Sequence, residues 1–428
     1  LKKHLPKKAL IKFRMMLLKR LLILFCLTTT LLSFAKTYFV GEGKRFSTIK
    51  SALQKANNGD TLMVYFGHYK EGNLNLDKSI TLIGINYPVL DGEFRHEIVS
   101  FRSDYITLQG FKIINSGADE VRNIGAVRLY DSRFSVIRNN IFQNNYFGIT
   151  VQRGERCLIE NNKITTNRGI SQESIGDGIH VWSSNEIWIK RNFISGHKDG
   201  IYLEKTNNSF IFKNLSLKNK RYGLHFMFSH NNVYTANVFR QNEAGVAVMY
   251  SRNVEMSYNK FLNNKGENVY GLLLKDLSFS KIKHNTFQNN SVGVFMDGSS
   301  KIDFYYNEFK DNGWGLRINA NCIENKLFNN NFIANIFDVS TSGSIFLNTF
   351  KNNYWDKYEG YDIDKDGVGD IPFYPLSLYA VISEQNPMIM ILFGTFFVEL
   401  MNRSEKLMPS LTPDSFVDET PLIKRNNT

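Results

Sequence analysis

The sequence predicts an all-β chain, a right-handed single-stranded parallel β-helix with a short N-terminal capping helix and a C-terminal helix and tail. Three observations carry this. A glycine followed by an apolar-x-apolar strand recurs about every 22 residues, an asparagine recurs in the same register, and a phenylalanine stands two residues after most of those asparagines. The 428 residues include 34 Phe and 20 Tyr but only 8 Pro, a composition that favours one long repeat array over two ordinary domains.

In chain order, residues 1–35 read as a signal peptide, 36–375 as the β-helix and 376–428 as a C-terminal apolar segment and tail. Lys19 and Arg20 precede the apolar run Leu21–Leu32, and Ser33-Phe34-Ala35 supplies a small-x-small cleavage site, so export is expected. An uncleaved anchor is the alternative, and Met15 or Met16 is an alternative start of translation. No lipobox precedes Cys26, because Phe25 stands where a small residue is needed. The formal net charge of +12 falls to +4 when the eight Lys and Arg of residues 1–35 are set aside, leaving 44 basic against 40 acidic residues. The basicity belongs to the N-terminus, so no nucleic-acid partner is expected. Cys157 and Cys322 stand about seven coils apart, roughly 34 Å at ~4.8 Å per coil. That is far beyond the ~7 Å limit for a disulfide, and both read as unpaired residues packed in the stack.

Phe46–Ala56 reads as a short amphipathic helix, stopped by Asn57-Asn58-Gly59-Asp60 and followed by a strand at Thr61–Tyr65. A helix there covers the first coil, as the end of a solenoid requires. The order helix, Gly-Asp, strand resembles the opening of pectin-lyase-like β-helices.

The repeat itself occupies residues 125–350. Its glycines are Gly148, Gly178, Gly200, Gly223, Gly245, Gly271, Gly293 and Gly315, at gaps of 30, 22, 23, 22, 26, 22 and 22, with Ala126 in the glycine place one coil earlier. The asparagines Asn192, Asn214, Asn237, Asn259, Asn285, Asn307 and Asn330 show the same single gap of 26. One coil between Gly245 and Gly271 therefore carries a four-residue loop, and the gap of 30 places another insertion near Asn167–Ile175. One residue after each glycine stand Ile179, Ile201, Leu224, Val246, Leu272, Val294 and Leu316. Three after stand Val181, Leu203, Phe226, Val248, Leu274, Met296 and Ile318. Both columns are wholly apolar and point inward on a period-2 strand. Phe239, Phe261, Phe287, Phe309 and Phe332 form an internal phenyl stack. The asparagine column suits turns, where Asn tolerates the left-handed conformation and its amide bonds to the coils above and below.

This register sorts the candidate ligands. Positions two and four after each glycine face outward, which places His225, Met227 and Met249 together, with His230 just beyond at the following turn. His225 and Met227 are about 6.6 Å apart along one strand, and Met227 and Met249 about 4.8 Å apart across coils. Thioether with imidazole is a ligand set that suits Cu(I). The bland alternative is that these are surface residues. Met256 shares a column with Ile189, Ile211, Tyr234, Ile282, Phe304 and Leu327 and is assigned to the core, and His197 and His284 to solvated turns. A second cluster, Asp362, Asp364, Asp366 and Asp370 around Gly367, resembles the first half of an EF-hand loop and points to calcium, although Phe373 stands where the bidentate Glu belongs. A loop that only caps the last coil is the alternative there. Met388–Val398 is continuously apolar or small and too short to span a bilayer comfortably. It reads either as a helix covering the open C-terminal coil or as a contact for a membrane partner, and Ser410–Thr428 reads as an extended polar tail.

The motifs Gly176-Asp-Gly-Ile-His-Val-Trp182, Asp199-Gly-Ile-Tyr-Leu-Glu204, Arg221-Tyr-Gly-Leu-His-Phe-Met-Phe-Ser229 and Ala244-Gly-Val-Ala-Val-Met-Tyr-Ser-Arg252, in that order, resemble the NosD family. Asn353-Tyr-Trp-Asp356 through Asp370-Ile-Pro372 and Pro409-Ser-Leu-Thr-Pro413 are similar to it as well. The resemblance implies a periplasmic, non-enzymatic accessory protein for assembly of the copper–sulfur centre of nitrous-oxide reductase. It implies an ABC-type ATPase, a membrane permease, the reductase and a copper-donating lipoprotein as partners, and transient copper at His225, Met227 and Met249. The competing expectations are a polysaccharide lyase or hydrolase and an adhesive solenoid. For an enzyme, the outward columns offer only Glu204, Lys275, Asp297 and Arg317, spread over several coils.

Overall fold

The computed structural model describes residues 15–16, 18–19, 35–118, 124–167, 175–266, 269–343, 347–407 and 416–426. The apolar run Leu21–Leu32, Cys26 and Pro409–Pro413 lie outside the described residues.

Between Thr37 and Trp355 the chain winds as a right-handed parallel solenoid of about 13 turns. Each complete coil lays one strand in each of three parallel sheets, of 12, 14 and 13 strands. The 12-stranded sheet, from Leu74–Leu76 to Phe337–Thr341, carries the glycine motif. The two inward columns pair in register as expected, Ile201 with Leu224 in one and Leu203 with Phe226 in the other, and are buried along their length. Met256 is 1% exposed and belongs to the core. Cys157 and Cys322 are free and buried, and burial pushes both thiols up to about 11.

The glycine column is required by close approach rather than by unusual dihedrals. A Cβ at Gly178, Gly223, Gly245 or Gly271 would stand 2.3–2.7 Å from the carbonyl oxygen of the glycine one coil on. Any side chain would push the coils apart at that corner.

The asparagines form a buried amide ladder. From Asn140 through Asn162, Asn192 and on to Asn353, each Nδ2 donates to the Oδ1 of the next coil at 3.0–3.2 Å and also to a backbone carbonyl. The left-handed residue is not the ladder asparagine, as the sequence reading held, but the residue before it: Arg191, Lys213, Ala236, Tyr258, His284, Tyr306 and Asn329 all have φ of 51–56° or 57°. The turn strain and the hydrogen bonding are thus carried by neighbouring residues. A second ladder, absent from the sequence reading, includes Asn264, Asn290, Asn312 and Asn335 and ends on Asp338. Phe239, Phe261, Phe287, Phe309, Phe332 and Trp355 stack inside with successive centroids 4.2–5.6 Å apart.

Both long gaps fall at the corner that leads into the glycine face. The four-residue insertion follows Asn264, with 267–268 outside the described residues, and 168–174 of the other insertion also lie outside them. The opening helix spans Ile49–Lys55, shorter than Phe46–Ala56, because Phe46 bridges to Val40 and Thr48 caps the first turn by accepting from the Ser51 N–H. Its Ile49 and Ala52 close the first coil.

At the other end the expectation for Met388–Val398 is corrected. The segment is not one helix: Pro387–Leu392 is a 3₁₀ turn and Phe396–Leu407 a separate helix. The helix that lies on the end of the glycine face is the preceding one, Leu378–Gln385, through Tyr379 against Phe337 on the last strand and Glu384 against Arg317 on the strand before it. Met388, Ile391 and Phe396 are 82%, 86% and 78% exposed, because Leu376, Tyr379 and Ala380 already fill the space over the coil. The tail is also not simply extended: its residues 416–426 return to the last coil, where Asp418 bridges to Phe350 and Phe373, and Leu422 to Tyr354 and Val368. No helix among the described residues is long and apolar enough to cross a membrane.

Candidate metal centre

The parallel register stacks the outward residues of the glycine face. His180, Tyr202, His225 and Ala247 form one column, and Trp182, Glu204, Met227 and Met249 the next. His225 and Met227 share the strand Tyr222–Met227, and Met249 pairs with Met227 across the coil.

Facing outward does not leave His225 exposed. It is 6% accessible, because Tyr202 packs on one side with its ring centroid 4.8 Å away and Tyr222 on another at 4.9 Å. Its Nδ1 lies 3.1 Å from Oδ2 of Asp199, which is fully buried. Burial alone would raise the Asp199 pKa, but Arg221 and His225 beside it hold it below the ordinary carboxylate range. Arg221 donates to it twice, at 2.8 and 2.5 Å. An ionised carboxylate only accepts, so Nδ1 carries the proton of neutral His225. Arg221 Nη2 also lies 3.4 Å from Nδ1, but both are donors there, and the shorter contact to the carboxylate decides the proton's place. Nε2 then bears the lone pair, and it is buried without a hydrogen-bond partner.

Met227 and Met249 are half-buried. The Tyr202 hydroxyl donates to Glu204 at 3.2 Å and lies 3.8 Å from the Met227 sulfur. Burial, with Glu204 adding to it, raises the Tyr202 pKa, so the phenol stays a donor. His230 sits in the turn, where its N–H donates to Asn207 at 2.7 Å. Burial, aided by Arg252, lowers its pKa, and its Nδ1 has no partner.

Several site residues escaped the sequence reading. Asp177 and Asp199 each precede a glycine, where an Asp-Gly pair reads as a turn, yet both carboxylates serve imidazoles. Asp177 lies 2.8 Å from His180 Nδ1 just as Asp199 serves His225, and the Asp199 N–H donates to Asp177 at 3.2 Å. His197 is not solvated: it is fully buried, and burial drives its pKa down to about 4 against the bond to the Gly176 carbonyl. His284 does sit in a turn, half-buried and stacked between Tyr258 and Tyr306 at 4.9 and 5.2 Å.

In the acidic loop, Asp362, Asp364 and Asp366 bring carboxylate oxygens within 4.8 Å of one another. Asp370 does not join them; its Oδ2 accepts from the Ile363 N–H at 2.6 Å. The tail clamps this loop, the Ile423 N–H donating to Gly367 and the Gly369 N–H to Pro421.

The donor set on the glycine face fits a soft cation. One imidazole has an unpartnered Nε2, one thioether shares its strand, and a second pairs in register with the first on the next coil.

No curated protein matches the chain. Among solved structures, a mannuronan C-5 epimerase A-module from Azotobacter vinelandii is 15% identical, with a TM-score of 0.51 over 72% of this chain and 88% of that one. The catalytic unit of an α-1,3-glucanase from Streptomyces thermodiastaticus is 14% identical, with a TM-score of 0.57 over 72% and 66%. At such identities the likeness is one of fold. The family described as periplasmic copper-binding protein (NosD) matches residues 59–215 and 160–360, well over half of the sequence. The chain therefore belongs to the NosD family of periplasmic copper-binding proteins.

Proposed function

We propose that this protein holds copper transiently, as Cu(I), at His225, Met227 and Met249, and serves assembly of the copper–sulfur centre of nitrous-oxide reductase. The observation that carries the site is the buried, unpartnered Nε2 of His225 with its Nδ1 fixed by a carboxylate. The reductase as recipient, the ABC-type ATPase and permease as partners, and the absence of catalysis are supported by the ordered strand motifs that resemble NosD. The exposed apolar rim of Met388, Ile391 and Phe396 is the surface on which a membrane partner would bear.

When bound, copper supplies a soft centre that exchanges ligands. The chain's residues orient the imidazole through Asp199, present two thioethers and exclude water with Tyr202 and Tyr222. A uronate-acting enzyme is disfavoured around His225, because Arg221, which could meet a sugar carboxylate, is already engaged by the buried Asp199. The three gathered carboxylates of Asp362, Asp364 and Asp366 favour a separate, harder position for calcium, tested by calcium titration of the protein and of its Asp364→Asn variant.

The central test is competition of the protein with a Cu(I) chelator, repeated for His225→Ala, Met227→Ala and Met249→Ala. Each loss of affinity supports the site, and unchanged affinity in all three overturns it. Deletion of the gene tests the role: a reductase made without its catalytic copper centre is expected, whereas a normally metallated one overturns the reading. Cleavage of uronate polymers by the purified protein would favour the enzyme.

A further inference from the structure

We infer that Asp199 is the positioning residue of the copper site: paired with Arg221 in the buried corner one coil below, it keeps His225 in the Nδ1–H form, with Nε2 as the ligand. This rests on the proposed copper site and extends it to two residues that touch no metal. A carboxylate hydrogen-bonded to the far nitrogen of an imidazole fixes the ring's orientation and raises its basicity as a ligand. Asp199 meets that description closely. It is fully buried, it accepts from His225 Nδ1 at 3.1 Å, and its remaining lone pairs are occupied by Arg221 and by the Tyr222 N–H at 3.2 Å.

Arg221 has a defined part. A bidentate guanidinium holds the carboxylate ionised and locks its plane, so Asp199 has no freedom to turn away from the ring. The arrangement also explains why a nearly inaccessible imidazole is tolerated with one nitrogen unpaired. The other nitrogen, the ring faces and the carboxylate are all satisfied, and the residue paired with His225 on the next coil is Ala247, the smallest side chain in its column. His180 provides an internal comparison. It has the same carboxylate on Nδ1, from Asp177, but its column neighbours Thr150 and Tyr202 and its strand neighbour Trp182 offer no thioether. The device at His180 orients an imidazole without assembling a soft ligand set.

The test begins with the metal-free full chain, in which the ring nitrogens of His225 are read by ¹⁵N NMR. The Nδ1–H tautomer is expected, and an Nε2–H tautomer overturns the inference without any variant. Cu(I) affinity is then measured by chelator competition for the double variant Asp199→Leu/Arg221→Met, which replaces the buried pair with apolar groups rather than stranding one charge. Affinity is expected to fall about 10–100-fold, with the His225 tautomers mixed and the unfolding midpoint little changed. The conservative double variant Asp199→Asn/Arg221→Gln keeps an oxygen acceptor for Nδ1–H and should restore most of the affinity. If Asp199→Leu/Arg221→Met binds copper as tightly as the parent while His225→Ala does not, the positioning role fails and the copper site stands. If His225→Ala binds as tightly as the parent, the imidazole is not a ligand and the inference falls, and if Met227→Ala and Met249→Ala do so too the copper site itself fails.

Discussion

Asp418 closes the amide ladder at Asn353, its Oδ2 accepting from the Asn353 backbone N–H at 2.9 Å and from Nδ2 at 3.0 Å. The same carboxylate takes the indole N–H of Trp355 at 3.1 Å and the N–H of Asn352 at 3.1 Å, and it is fully buried. A residue from the returning tail thus does for the last coil what the next coil's asparagine does elsewhere. Asp418→Ala would leave several buried donors without an acceptor, each worth ~1–3 kcal/mol. We expect a loss of about 3 kcal/mol, measured by urea unfolding followed by far-ultraviolet circular dichroism. An unchanged midpoint would show that water replaces the carboxylate at no cost.

His197 introduces an acid sensitivity. It takes an asparagine's place in the second ladder, its N–H donating to Asn219 Oδ1 at 3.2 Å, but its Nε2 is buried and unsatisfied. Folded His197 titrates near 4, whereas an unfolded chain titrates near the ordinary 6.5. Between those values the unfolded state binds a proton that the folded state does not. This contribution is therefore intact above pH 6.5 and is lost as the pH falls toward 4, by on the order of 3 kcal/mol. His197→Asn should flatten the decline, because an amide can rejoin the ladder without charging. Urea midpoints at pH 7.5 and pH 4.5 for both proteins test this, and an equal drop in each would refute it.

Phe287 lies between Phe261 and Phe309, with centroids 4.6 and 5.0 Å away, and is fully buried. Phe287→Ala would open a cavity in the middle of a stack that cannot collapse without shifting two coils. A loss of ~3–5 kcal/mol is expected from thermal or urea unfolding. Phe287→Leu should lose less, since it keeps most of the volume.

Met227 and Met249 are half-buried on the outer face, so their contribution to folding is small, and in the proposed copper site their sulfurs are the ligand atoms. Met227→Leu and Met249→Leu preserve shape and remove the thioether. Cu(I) affinity is expected to drop at least about tenfold in each, an energy of ~1.4 kcal/mol, with the melting temperature unchanged. Equal losses of affinity and stability would mean that these residues pack rather than ligate.

The 22-residue register was legible in the residues themselves, because every coil repeats one packing problem. The inward columns, the phenyl stack, the core placement of Met256 and the outward placement of Met227 and Met249 all follow from period-2 alternation on stacked strands. Proximity across coils follows from that register too, which is why His225, Met227 and Met249 emerged as one group. Corners do not follow from it. At a turn the alternation breaks, and whether Asp199 points to solvent or beneath His225, or whether His197 is solvated or sealed, depends on how the flanking coils close over that corner. The covering of the last coil by Leu378–Gln385, and the return of Asp418 to Asn353 across 65 residues, likewise depend on contacts between segments far apart in the sequence. Local periodicity thus determined the solenoid and the face of each side chain. Only the tertiary structure decided the hydrogen-bond partners and the burial of the outward-facing His225, which local periodicity leaves open.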